Sequence, residues 1–447
     1  MPEPETKPQK PVSKSSRISG FFKLSNEERM QKVKEFADLE DSDIELLKES
    51  LNILDKEKTY FIENVIGAMH LPIGIATSFK VNGKEYLVPM ALEEASVVGA
   101  ASKSARDSLR HGGFFASNTG PIMIGQMQCV NVSDPFGAKM RILENKDQII
   151  KVANEQDPIL VSFGGGCNDV QVRVIDSLTG PMVITELIVN CGDAMGANAV
   201  NTMAEACAPL IEKYTGGRVF LRIITNLADK RIVRVRAVFD KRNLKTDTMS
   251  GDEVVDGILE AYAFAEADPH RAATHNKGIM NAISAITLAT ANDWRAIEAG
   301  AHSYAARTGV YTSLTTYEKT SYGDIVATIE LPLALGLVGG ATRIHPIAKI
   351  VVKILGVKTA VELAEVVAAV GLAQNFGAMR ALATTGIQSG HMKLHARNMA
   401  VDVIRQDNGD LSLTNKIVDQ ITSEKGRVTM DRVKAVYEKL KNKNEDS

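Results

Sequence analysis

Apolar positions change period several times along the 447-residue chain, and each change marks an element. Ser25-Asn-Glu-Glu-Arg reads as a helix start, with apolar residues at helical spacing through Leu47. Ser96 to Arg110 is rich in small residues and free of breakers until His111-Gly112-Gly113, which predicts a further helix. Gly112 to Pro121 then reads as a domain crossing. Met182 to Val189, β-branched and apolar between Gly180-Pro181 and Gly192, predicts a strand. Ala194 to Tyr214 is helical and closed by Gly216-Gly217, and Val219 to Ile224 is a strand again. Ile232 to Phe239 alternates, with Val233, Val235, Ala237 and Phe239 on one face and Arg234 and Arg236 on the other. Strands that flank a helix and then pair in a hairpin suggest a split βαβ, ferredoxin-like unit at residues 121–226, its last strand pair straddling the boundary.

From Gly251 the chain is mostly helical and rich in Ala. Asp252 to Ala267, Asn292 to Thr308 and Val361 to Thr384 are long helix candidates, with a strand near Ile325 to Leu331. Thr385-Gly386-Ile-Gln-Ser-Gly390 is a glycine-bracketed joint before a helical tail that ends in KNKNEDS. A segment hung on two glycines reads as a mobile lid or as a docked C-terminal helix on a tight turn.

Composition narrows the class. With 45% hydrophobic and 24% charged residues the chain can bury a sizeable core, although its first sixteen residues read as a disordered tail. The 52 basic and 54 acidic side chains nearly cancel, and 5% aromatics are few, so no footprint for nucleic acid or an anionic membrane emerges. Cys129, Cys167, Cys191 and Cys207 form no CxxC pair; they fit neither a zinc site nor a redox motif and read as buried thiols. No metal site is expected. No span of about 20 apolar residues is found, and the start lacks the apolar stretch of a secretory signal, so a cytoplasmic protein without a membrane partner is expected.

The phosphate-binding fingerprints are missing. Gly164-Gly165-Gly166-Cys167 is no GxGxxG, and no GxxxxGK[ST] occurs, so a doubly wound dinucleotide domain is poorly supported. Five clusters remain, each with a plainer reading. Asp193-Ala-Met-Gly196-Ala-Asn198 opens a helix whose N–H groups could receive an anion, or Asp193 is only a cap. Arg271-Ala-Ala-Thr-His275-Asn276-Lys277-Gly278 gathers basic and amide groups suited to a carboxylate or oxyanion, or is a solvated basic loop. Asn292-Asp293-Trp294-Arg295 could supply a carboxylate or merely a cap. Glu93-Glu94 could be ordinary first-turn acids, and His391, beside Gly390, a structural histidine.

Together, and in order, Glu63-Asn-Val-Ile-Gly67, Asp193-Ala-Met-Gly-Ala-Asn198, His275-Asn-Lys-Gly-Ile-Met-Asn281, Asn292-Asp-Trp-Arg-Ala296, Gly336-Leu-Val-Gly-Gly-Ala-Thr342 and Gly390-His-Met-Lys-Leu-His395 resemble the 3-hydroxy-3-methylglutaryl-coenzyme A (HMG-CoA) reductase family, in its soluble class II form. The resemblance runs from Arg17 to at least Arg397. It implies an α+β fold: a split, mostly helical large domain (17–120 and 227–385), an inserted ferredoxin-like cofactor domain (121–226) and a C-terminal helical flap (386–447). It also implies a homodimer, or an oligomer of dimers, with active sites at the interface.

The same resemblance places catalytic roles on Glu94, Lys277, Asp293 and His391. Substrate contacts fall on Ser96, Asn226, Arg271 and Asn281, on Glu63 and Asn64 of the first motif, and on Lys23 for the adenylate end of coenzyme A. Asp193, Met195, Gly196 and Asn198 are expected to hold the nicotinamide cofactor. Asp157, before the glycine run, is expected to face the adenosine ribose, which favours NADH while leaving NADPH admissible. The implied partners are HMG-CoA, mevalonate and coenzyme A, and the implied reaction is two-hydride reduction for isoprenoid biosynthesis. The alternatives are the same enzyme in mevalonate catabolism and a non-catalytic acyl-coenzyme A-binding dimer. Where the animal enzymes carry a regulatory phosphoserine this chain has Arg397, so that switch is not expected. An acyltransferase or thioesterase would want a nucleophile, and no GxSxG is present.

Overall fold

The computed structural model describes residues 20–52, 62–384, 386–423 and 428–445, with the side chains of residues 22, 387–394 and 442–445 outside that description. The expected tail of residues 1–16 and Thr385 lie outside the described residues. The chain forms two compact units, Met1–Pro72 and Ile73–Ser447.

In the first unit, the helix expected to run through Leu47 is two helices, Asn26–Ala37 and Asp41–Ser50. Asp38 takes a left-handed φ of 54° and closes the first, and Glu40 opens the second. Periodicity survives such a break because both helices turn Met30, Ile44 and Leu47 onto one small core with Leu51 and Val65.

The second unit holds two sheets. The larger is built from Ile73–Val81 (β1), Lys84–Ala91 (β2), Phe114–Asn118 (β3), Ile232–Phe239 (β8), Ile325–Pro332 (β10) and Thr315–Lys319 (β9), in the order β2-β1-β3-β8-β10-β9. Only the β1–β3 pairing is parallel. The smaller sheet is built from Ile122–Val130 (β4), Gly166–Ile175 (β5), Met182–Asn190 (β6) and Arg218–Ile224 (β7), in the order β5-β6-β4-β7, antiparallel throughout. Helices follow β4 and β6, which is the split βαβ, ferredoxin-like order.

Two expectations need correction. β8 does not pair with β7; it lies between β3 and β10 in the large sheet. Its alternation assigned the faces correctly, burying Val233, Val235, Ala237 and Phe239, but period two carries no information about the partner strand. The supposed crossing at 112–121 is mostly β3, and the chain leaves the large sheet only at Thr119–Pro121. The return, residues 225–231, is stapled to that exit. Thr119 N donates to the Ile232 carbonyl at 3.0 Å, and Ile232 N donates to Thr119 Oγ1 at 2.8 Å.

The helix Ala360–Ala383 runs through the middle of this unit. By length and composition it could cross a membrane. Here it is a core helix, with Val366 through Ala373 buried without a break. Phe376 stacks on Phe239 of β8 at a centroid distance of 3.5 Å. Beside it runs Pro269–Ala289, and Asn375 of the core helix meets His275 of that neighbour.

His275 is buried in a polar knot. Its Nε2 lies 2.7 Å from Thr315 Oγ1, 2.9 Å from Ser313 Oγ and 3.2 Å from Asn375 Nδ2, while its buried Nδ1 has no hydrogen-bond partner among the described residues. Burial, helped by the Arg271 charge, pushes its pKa from 6.5 down to about 3. The unfolded chain therefore binds a proton here that the native chain refuses between those values. Its share of stability is complete above pH 6.5 and declines as pH falls toward 3. Thermal melts of wild type and His275→Gln between pH 7 and about pH 5 should show the wild type losing more of its melting temperature. Parallel losses would assign the acid sensitivity elsewhere.

Candidate active site

Two of the expected residues meet directly. Glu94 lies in the turn after β2, which enters the helix Val97–Ser108, and Lys277 sits mid-way along Pro269–Ala289. Lys277 Nζ donates to Glu94 Oε2 at 3.1 Å. Arg271 to Gly278 is thus helix, not the turn or loop that its polarity suggested. Ser96 is held at φ 77°, a left-handed conformation uncommon outside glycine, and such strain concentrates at functional sites.

Glu94, Ser96, Arg271, Lys277 and Asn281 line one cavity of about 380 Å³. Lys277 and Asn281 are one helical turn apart, so both face it. Burial holds the Arg271 guanidinium below its usual pKa. Within one chain the Glu94 and Lys277 side chains remain open, 37% and 62% exposed.

Asp293 is elsewhere. It caps the helix Trp294–Ala305, accepting from Arg295 N at 3.1 Å and Ala296 N at 3.2 Å, and pairs with the Arg295 guanidinium at 3.1 Å. It lines neither the cavity above nor its neighbour of about 220 Å³, which Glu94 and Lys277 also border. The stretch from Lys277 to the helix end at Ala289 is itself about 18 Å long. Asp293 instead belongs to a second group. Asn292 Oδ1 accepts from Gly336 N at 2.8 Å. Leu337 N and Val338 N donate to the Asp193 carbonyl at 2.9 Å and 3.2 Å. The Asn226 carbonyl packs on Gly300 of the Asp293-capped helix, where a Cβ would come within 2.6 Å.

Asp193 does not cap the helix that follows it. Its Oδ1 accepts from Ala360 N at 2.7 Å and so caps the core helix. Helix Ala197–Thr215 starts at Gly196, φ 106°, with no side-chain cap, and a Cβ there would lie 2.3 Å from Cys191 Sγ. Met195 is half-buried and Asn198 exposed. Asp157 caps the short helix Pro158–Ser162, its Oδ1 accepting from Leu160 N at 2.9 Å, and it lies near enough to act on the Cys191 thiol.

Lys23, Glu63 and Asn64 are exposed residues of the first unit, Asn64 at φ 55°. His391 falls inside the helix Ile387–Gln406, its side chain outside the described residues. Gly390 is also inside that helix, so the joint is at Gly386 alone, φ 78°. The four cysteines are free and buried, and burial raises the thiols of Cys167 and Cys191 to about 11 and Cys207 to about 12, unsuited to nucleophilic attack. Among the described residues, no group of three or more His, Cys, Asp or Glu is placed to hold a metal ion. Sequence reasoning passed over Asn375, which with Gln374 interrupts an apolar helical run and could have been flagged by that, and over Arg231, which ends the polar run Asp229-Lys230-Arg231 and carries no such signal.

Known proteins place the geometry in a family. The family model for hydroxymethylglutaryl-coenzyme A reductase matches residues 25–396. The 3-hydroxy-3-methylglutaryl-coenzyme A reductase of Archaeoglobus fulgidus is 56% identical over 430 residues, covering 96% of this chain and 95% of that protein. A probable reductase of Borreliella burgdorferi is 33% identical over 395 residues, covering 86% and 88%. Among solved structures, the Streptococcus pneumoniae reductase superposes with a TM-score of 0.73 at 36% identity, covering 94% of this chain and 99% of that one. The class II enzyme of the same organism, bound to NADPH in open conformations, gives 0.72 at 36% identity, covering 94% and 100%. The chain belongs to the hydroxymethylglutaryl-coenzyme A reductase family and is an NAD(P)H-dependent oxidoreductase that reduces HMG-CoA to mevalonate.

Proposed function

We propose that Glu94, Lys277, Asp293 and His391 carry the two-step reduction. The observation behind this reading is the Lys277–Glu94 pair, set with Arg271 and Asn281 around one cavity. A bound reduced nicotinamide supplies the hydride of each step. As the first C–H bond forms, the carbonyl electron pair moves to oxygen, where Lys277 is placed to stabilise it. Glu94 gives that oxygen a proton, and the product is a hemithioacetal. It collapses to an aldehyde as the C–S bond breaks: the hydroxyl proton returns to Glu94, which is thereby ready for the second reduction, and the thiolate takes its proton from His391, the side chain suited to give one near neutrality. The second reduction repeats the first on the aldehyde. Arg271, Asn281 and Ser96 hold the substrate carboxylate and hydroxyl. In the first unit, Glu63 and Asn64 are read as further substrate contacts and Lys23 as the contact for the coenzyme A adenylate.

A single chain leaves Glu94 and Lys277 open to solvent and keeps Asp293 out of the cavities that they line. Both facts favour a two-fold dimer in which the Glu94–Lys277 group of one copy meets the Asp293–Asn226 group of the other. The segment Asp193–Asn198 suits a dinucleotide, because the helix that it opens has no side-chain cap and a free helix N-terminus favours negative charge. Asp157 would accept from a ribose 2′-hydroxyl and repel a 2′-phosphate, so NADH is the preferred cofactor.

Four measurements check these assignments. Lys277→Ala should lose roughly 10²–10³ in turnover on both HMG-CoA and free mevaldehyde, since each reduction creates an oxyanion. His391→Ala should spare mevaldehyde, where no thiolate leaves; equal losses on both substrates would make His391 structural. Mixing inactive Lys277→Ala and Asp293→Ala chains should restore about a quarter of native activity, since half the dimers are hybrids with one intact site each. No recovery would place both residues in the same copy's site. For the cofactor, NADH should exceed NADPH in kcat/KM, and Asp157→Ala should narrow the ratio. A native preference for NADPH, or a ratio the substitution leaves alone, means that Asp157 does not read the ribose.

A further inference from the structure

Arg231 ends the stretch that returns the chain from the small sheet to β8, and it is only 3% exposed. Burying a guanidinium is costly unless its donors are satisfied. Among the described residues it forms no ion pair; its partners are backbone carbonyls. One terminal nitrogen donates to Ala194 O and Met195 O, both at 3.2 Å, and the other to Leu335 O at 2.5 Å. Burial draws its pKa down to about 10, with Cys191 and Asp193 acting the other way, so it stays charged at neutral pH.

Packing alone does not call for such a group, since an apolar side chain of similar volume would fill the space without the desolvation cost. What the fork adds is direction. In a trans peptide the C=O and N–H point opposite ways, so capturing two successive carbonyls sets two successive peptide planes. Those planes join Ala194 to Met195 and Met195 to Gly196, at the mouth of the Ala197–Thr215 helix. The third carbonyl, Leu335, precedes Gly336, whose N–H holds Asn292 beside Asp293.

We propose that Arg231 is a positioning residue for the nicotinamide cofactor, holding Asp193–Gly196 in the shape that receives the dinucleotide. This rests on the reading that Asp193–Asn198 is the cofactor seat. Lysine keeps the charge but offers a compact point donor in place of a planar fork, and cannot hold three separated carbonyls in fixed directions.

The experiment measures cofactor dissociation by nucleotide fluorescence, and both Michaelis constants, in the full-length enzyme. Arg231→Lys should weaken cofactor binding roughly tenfold, a loss typical of small misplacements. The KM for HMG-CoA should stay within about twofold, because Arg271 and Asn281 lie on the Pro269–Ala289 helix, which the Arg231 side chain does not hydrogen-bond among the described residues. Hydrogen exchange should accelerate at residues 193–196. If the lysine variant does not fold, Arg231→Gln, which keeps a donor without charge, is read by the same measures. Unchanged cofactor affinity, or equal rises in both constants, overturns the proposal. Asn198→Asp separates this from failure of the underlying reading. If that charge leaves cofactor affinity unmoved, the seat itself is wrong; if it weakens binding while Arg231→Lys does not, only the positioning role falls.

Discussion

A helix that is apolar around its whole circumference has to be covered around its whole circumference. Ala360–Ala383 imposes that constraint on everything near it. The large sheet covers one side through the Phe239–Phe376 stack. Pro269–Ala289 covers another, close enough that a Cβ on Gly371 would lie 2.9 Å from the Ile283 side chain. Val97–Ser108 comes equally near at Gly377, where Ser104 Oγ would lie 2.9 Å from such a Cβ. The two helices that bring Glu94 and Lys277 together are therefore placed by the same buried cylinder. Its N-terminus is capped by Asp193, so the proposed cofactor segment is anchored to it as well.

The chemistry divides accordingly. One group hangs on the flanks of the core helix: the strained Ser96, Glu94, and the stripe of Pro269–Ala289 that carries Arg271, Lys277 and Asn281. The other hangs on loops joined by backbone hydrogen bonds: Asn226 and Arg231, Asp193–Met195, Asn292–Asp293 and Leu335–Val338. Helices hold the first group, and hydrogen bonds to backbone atoms hold the second; the dimer proposed above would bring the two together.

Much of this was readable before any coordinates. Helix existence, the faces of β8 and the ordered motifs come from local patterns, and local patterns survive folding. Pairing partners do not, because a strand's alternation is the same whichever neighbour it meets; hence β8 was placed with β7. Boundaries set by a single left-handed residue, such as Asp38, were equally hidden. Motifs located Glu94, Lys277 and Asp293 but said nothing of their distances, which depend on helix lengths. Asp193 illustrates the limit best. A cap was considered for the helix beginning four residues later, and the observed cap serves one beginning at Ala360.

Thr119 and Ile232 bond reciprocally, and the next pair inward, Asn118 and Val233, are already ladder partners of β3 and β8. Viewed from the large sheet, these strands are an ordinary antiparallel hairpin whose turn happens to contain a folded sheet with its own helices. Because the insert enters and leaves at one point, it need not strain the sheet that carries it, and the chain entropy of closing that loop is met by the insert's own folding. Such a junction tolerates exchange. The same hairpin could be closed by a short turn, and the pairing of β3 with β8 would stay as it is; what a replacement would have to supply again is the contact that Asp193 makes with the first turn of Ala360–Ala383.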